Sequence, residues 1–189
     1  MLIDQKKINW TKIQSGVDKY KWIMEFIEKA KKNNIDLTKE EEFRKKFNGF
    51  YRIRQKPEKF YNKYYLLLNT NLKSPPALIN ILEQLYTIEK RLENSFSSKL
   101  LHTINPNLPI WDKIVMNGLK LKTAFYSKDI KKKKKDIISE YEKLNKFFDD
   151  FLLTLECQEL IKLFDEKIDT KEFKITPLKK IDFIIWQTR

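Results

Sequence analysis

Residues 95–115 gather most of the side chains in this chain that could do chemistry. They run Ser95-Phe96-Ser97-Ser98-Lys99-Leu100-Leu101-His102, then Asn105-Pro106-Asn107-Leu108-Pro109-Ile110-Trp111-Asp112, then Ile114-Val115. The only histidine falls here, with a tryptophan and two prolines. On a helix over 94–104, at about 100° per residue, Ser95, Lys99 and His102 share one side. Phe96, Leu100, Leu101 and Ile104 share the other and pack inward. The polar side is either plain surface or the wall of a cleft. Pro106 and Pro109 stiffen the loop that follows, and such a loop can bring Asp112 back towards Lys99. A lysine facing a carboxylate across a cleft has a defined chemistry. Desolvation lowers the pKa of the amine, and the neutral amine attacks an electrophilic carbon. The carboxylate serves as base or stabilises developing positive charge. The same two residues could equally be a salt bridge that pins the loop to the helix. Ser95, His102 and Trp111 are the expected neighbours in such a pocket.

The elements that must position these groups read as helices. Tyr20, Ile23, Met24 and Ile27 share one face of a helix over 17–33. Thr38-Lys39-Glu40-Glu41 has the form of a capping box, opening a helix that runs towards Phe47 and stops near Asn48-Gly49. Phe50-Tyr51-Arg52-Ile53-Arg54 alternates apolar with basic, as a short strand or an extended connector would. Pro57 opens the next helix, whose Phe60, Tyr61, Tyr64, Tyr65, Leu67 and Leu68 form a core stripe or, with the interleaved lysines, a stacking surface. Ser74-Pro75-Pro76 is a start signal for a buried helix through Leu78, Ile81, Leu82, Leu85 and Ile88. Asn117-Gly118 marks another helix end. From Lys131 a long helical segment runs to about Leu153, with helices over 156–168 and 178–186 after it. Three glycines and no regular turn signals exclude a sheet-rich fold. The expected fold is all-α: a compact single domain of about seven to nine helices over 17–189, with at most one short extended pair. An N-terminal arm over 1–16, turning at Ser15-Gly16, precedes it.

The 189 residues carry a net charge of +13. A field of that sign favours polyanions, and the expected partner is nucleic acid, DNA ahead of RNA. Arg52 and Arg54 are candidates for phosphate contacts through their planar forks. Lys131, Lys132, Lys133, Lys134 and Lys135 are candidates for a phosphate-contacting ridge, or are a solvated helix face. One cysteine, Cys157, permits no internal disulfide, and one Cys with one His excludes a zinc site of the usual ligands. No metal and no cofactor are expected. The first residues lack the apolar run of a signal peptide, and no stretch approaches the roughly 18 apolar residues of a spanning helix, so a cytoplasmic protein without a membrane partner is expected.

Ser98-Lys99-Leu100-Leu101, followed by Pro106 and by Pro109-Ile110-Trp111-Asp112-Lys113-Ile114-Val115, resembles the catalytic segment of the helix–hairpin–helix base-excision DNA glycosylases, in particular the 8-oxoguanine DNA glycosylase branch. In that superfamily a helix-borne lysine is followed by a loop ending in Pro-x-Asp or a close variant, then by a helix with Val near its start. The resemblance implies an all-helical scaffold and a flipped-out base. It implies Lys99 as the amine that attacks the deoxyribose carbon and Asp112 as its carboxylate partner. The family's Gly-x-Gly hairpin is absent here, and the interval from Lys99 to Asp112 is shorter than in the family. On this reading the chain is a glycosylase/lyase-like nucleic-acid-binding protein. The alternative is a non-catalytic helical module that binds nucleic acid or an acidic protein partner.

Overall fold

A computed structural model describes residues 3–187. Met1 and Leu2 at the start of the expected arm, and Thr188 and Arg189 at the end, lie outside the described residues. Among the described residues there are nine α-helices, a 3-10 turn at Gln5–Lys7 and no strand. The helices are α1 (Trp10–Asn33), α2 (Glu41–Tyr51), α3 (Glu58–Thr70), α4 (Leu78–Glu89), α5 (Asn94–Ile104), α6 (Lys113–Gly118), α7 (Ile130–Leu152), α8 (Leu155–Lys167) and α9 (Pro177–Gln187). The all-α expectation holds, and the short extended pair is not formed among these residues.

Three local expectations are corrected, two by packing and one by competing hydrogen bonds. Ser15-Gly16 is no turn but the interior of α1, because Ile13 continues the row of Val17, Tyr20, Met24 and Ile27, all of them buried. Helix α2 does not stop at Gly49. Phe43, Phe47 and Tyr51 recur every four residues on one buried face, and that helical period overrides the alternation seen over 50–54. The capping box is not made: the Thr38 amide and hydroxyl both donate to Asp36 Oδ1, at 3.1 and 2.7 Å, and Glu40 caps α2 without a side-chain bond.

The three glycines lie inside helices, Gly16 in α1, Gly49 in α2 and Gly118 in α6. Left-handed backbone falls instead to residues with side chains, among them Asn34, Arg52, Lys90 and Lys120. Arg52 and Lys90 close α2 and α4 in this conformation.

The fold groups into two compact units. One is Gly16–Asn105; the other takes the described residues up to Ser15 together with those from Pro106 onwards. In Gly16–Asn105, helices α3, α4 and α5 pack on one another. The tyrosine stripe of α3 is core: Tyr64 and Tyr65 are fully buried, with ring centres 5.7 Å apart, and Phe47 packs beside both. Their hydroxyls find acceptors, Tyr64 at the Phe96 carbonyl (3.1 Å) and Tyr65 at Asn48 Oδ1 (2.8 Å). Burial raises both phenol pKa values, so they act as neutral donors. Lys56, just ahead of α3, reaches Glu89 at the end of α4 (2.9 Å) and Glu93 at the cap of α5 (2.6 Å).

In the second unit α9 packs against α6, α7 and α8. Ile181 and Ile184 are fully buried, each contributing about 2 kcal/mol by removal from water. The C-terminal helix is therefore structural, as its hydrophobicity suggests. Lys179, 2% exposed, pairs with Asp182 at 2.6 Å. No helix among the described residues is long and apolar enough to cross a membrane.

Candidate functional site

The residues singled out over 95–115 fall in both units, Ser95, Lys99 and His102 on α5 and Trp111 with Asp112 ahead of α6. Lys99 is half-buried, and its Nζ donates to the Tyr51 carbonyl at 2.9 Å. That carbonyl belongs to the last turn of α2, where the helix leaves acceptors unsatisfied and favours a cation. Asp112 is the N-cap of α6, its Oδ1 accepting from the Ile114 amide at 2.8 Å. Each of the two candidate catalytic side chains thus holds a backbone group at a helix end.

The polar side of α5 is not surface. Ser97, Ser98, His102 and Thr103 are all buried, and Ser95 is half-buried. The helix accommodates them because Ser98 returns its hydroxyl to the Ser95 carbonyl (3.0 Å) and Thr103 to that of Lys99 (2.8 Å). His102 is packed 6.1 Å from the Tyr20 ring, with Nε2 3.5 Å from the phenol oxygen. Trp111 is core as well. Its ring is near-parallel to Tyr141 at 6.5 Å and lies 6.1 Å from Phe125, while the Tyr141 hydroxyl donates to the Pro109 carbonyl. Arg52 and Arg54 are exposed at the end of α2.

A second set of residues is better placed for an outside ligand. Residues 113–135 hold nine lysines (Lys113, Lys120, Lys122, Lys128 and Lys131–Lys135) against one aspartate, Asp129. The rest of that unit carries twelve Lys and Arg against fourteen carboxylates, so its positive charge is concentrated in this one stretch. All of these lysines are exposed except Lys133 and Lys134, which are half-buried. Elsewhere in the unit Lys7, Lys143, Lys146, Lys162, Lys179 and Lys180 are paired with carboxylates. Among the described residues no carboxylate lies within ion-pair distance of Lys113, Lys120, Lys128, Lys131, Lys132, Lys133 or Lys135.

The connector between α6 and α7 is held in place. The Leu121 amide donates to the Met116 carbonyl at 2.9 Å, and the Lys122 amide to Glu140 Oε2 at 3.0 Å. Glu140 is buried on α7, and burial alone would raise its pKa; the Lys143 ammonium at 2.7 Å and the Lys122 amide outweigh this and hold it below its usual range. Along 121–128 burial alternates. Leu121, Thr123, Phe125 and Ser127 are half-buried, while Lys122, Ala124, Tyr126 and Lys128 are exposed. Asp129 then caps α7 through the Lys131 amide at 2.8 Å, and the five lysines follow in its first turns. The connector and its outward Tyr126, 91% exposed, carried no signal in the sequence beyond the scattered lysines.

No group of His, Cys, Asp and Glu that could hold a metal ion occurs among the described residues. Compared with protein-family models, with curated proteins and with solved structures, the chain matches none.

Proposed function

We propose that the protein binds nucleic acid through the lysine-rich stretch 113–135. The observation that carries this reading is the segregation of charge: nine lysines with one acid in a stretch whose unit is otherwise slightly acidic. A codon preference for lysine would scatter the surplus. Five lysines in the opening turns of α7 oppose the positive end of its dipole, an arrangement that an anionic partner relieves. A phosphodiester backbone supplies that charge at regular spacing and releases counterions when lysines replace them. What favours binding over amine chemistry is that Lys99 and Asp112 are each engaged with a helix terminus.

The test is fluorescence anisotropy of labelled oligonucleotides titrated with protein at several salt concentrations. Lys131→Gln/Lys132→Gln/Lys135→Gln is expected to weaken binding and to lower the slope of log K against log salt by about 2, at roughly 0.7 to 0.9 for each phosphate no longer neutralised. Circular dichroism and the melting temperature should be unchanged, because the three side chains are exposed. Salt-independent binding, or a triple variant that binds like the parent, overturns the proposal.

A further inference from the structure

We infer that the preferred ligand of this surface is single-stranded nucleic acid, with an unpaired base stacked on Tyr126. This rests on the nucleic-acid reading above and deepens it. Phe125 turns inward against Trp111, at 6.1 Å between ring centres, which fixes the neighbouring Tyr126 outward. The tyrosine is 91% exposed, more than any other large apolar side chain among the described residues. It shares the outward face of the connector with Lys122, Ala124 and Lys128. At roughly 3.3 Å per extended residue, the two lysines stand about 13 Å and 7 Å along the chain on either side of the ring. Ala124, two residues before it on that face, is too small to cover it.

An aromatic ring set among cations matches a strand that offers both phosphates and bare base faces. A duplex offers only the phosphates, since each of its bases is covered by stacking on both sides and reaches a protein ring only by being flipped out. An acidic protein would pair with the lysines but presents no stack of flat faces to the ring. The anchoring of the connector suits the task. The bonds from Leu121 to Met116 and from Lys122 to Glu140, with Phe125 against Trp111, anchor the backbone that carries the ring before the ligand arrives, which reduces the order lost on binding.

The experiment compares three labelled probes of about 16 nucleotides, the upper end of common single-strand site sizes: a single strand, its duplex, and an abasic deoxyribose–phosphate strand. The single strand is prepared as DNA and as RNA, which separates those two sources of the same chemistry. The expected result is that the single strand binds about tenfold more tightly than either the duplex or the abasic strand. Tyr126→Ala should remove that advantage while leaving the abasic strand bound as before, and Tyr126→Phe should keep it. Equal binding of all three probes, unchanged by Tyr126→Ala but weakened by the triple lysine variant, overturns the stacking and leaves the nucleic-acid reading standing. No binding of any probe at about 0.1 M salt, where charges still act over roughly 10 Å, overturns both.

Discussion

The backbone amide of Lys122 donates to the carboxylate of Glu140, 18 residues further along, at 3.0 Å. One buried acid on α7 thereby fixes the start of the connector that displays Tyr126. Glu140→Ala removes an acceptor shared by that amide and the Lys143 ammonium, and should cost about 2 kcal/mol in urea denaturation at neutral pH. The folded-state pKa of Glu140 is held below the usual 4.5, so its contribution is complete above that value and disappears as the pH falls through the lower, folded one. The gap between parent and variant should therefore close in acid; a gap that stays constant from pH 7 to strongly acidic solution would contradict the assignment.

Lys56 lies between two acids with little access to water, its side chain 11% exposed and those of Glu89 and Glu93 13%. Truncating it leaves two half-buried carboxylates without their partner, so Lys56→Ala should cost about 1.5 to 3 kcal/mol. Burial by itself would lower the lysine pKa, but the hydrogen bonds to Glu93 and Glu89 prevail and raise it above 10.5. Its contribution is then complete below pH 10.5 and lost as the pH climbs through the folded value. Denaturation curves at neutral pH and in alkali measure both effects.

Cys157 is fully buried in the first turn of α8, and burial, with Glu156 beside it, pushes its thiol pKa up to about 11. A neutral buried thiol is a poor nucleophile. Titration with a chromogenic disulfide should show almost no reaction in the native protein and complete reaction in denaturant. Rapid native labelling would mean that α8 opens readily.

Lys99 offers a direct check on the lyase chemistry that its surroundings in sequence suggest. With its amine bonded to the Tyr51 carbonyl, borohydride treatment in the presence of abasic or 8-oxoguanine DNA should trap no adduct. Lys99→Ala should instead lower stability by about 1 kcal/mol, the ordinary worth of such a bond. A covalent adduct that is lost in Lys99→Ala would reinstate the amine as a nucleophile.

Gly49 occupies a helical position in α2, and a methyl group placed there meets nothing within 4 Å. Gly49→Ala should raise stability by about 0.5 to 1 kcal/mol, visible as a higher melting temperature.

The helices were legible wherever apolar residues recur at helical spacing. The buried face of α4 (Leu78, Ile81, Leu82, Leu85) and the course of α7 through Ile137, Tyr141, Leu144, Phe148 and Phe151 follow directly from the pattern. What misled was local chemistry. Ser98 and Thr103 look like surface residues, but they bond to their own helix and can be buried, and His102 goes in beside them. Asp36 takes the hydroxyl of Thr38 that the capping box needed. In the connector, Phe125 and Tyr126 are adjacent aromatics of similar size, and the sequence does not say which of them turns inward; in the fold it is Phe125, towards Trp111. Lys131 to Lys135 are plain in the sequence as a run, and Lys120, Lys122 and Lys128 stand ahead of it there too; that these three are exposed along the connector is a property of the folded chain.

The placement of the glycines has a practical consequence. All three stiffen nothing where they are, and corners such as Lys90 and Lys120, where a glycine would sit without strain, carry long side chains. A few exchanges at Gly49 and Lys90, remote in sequence from the lysine stretch, should yield a heat-hardened version of the protein. Such a version would tolerate the low-salt, high-concentration solutions in which weak ligands are most easily caught.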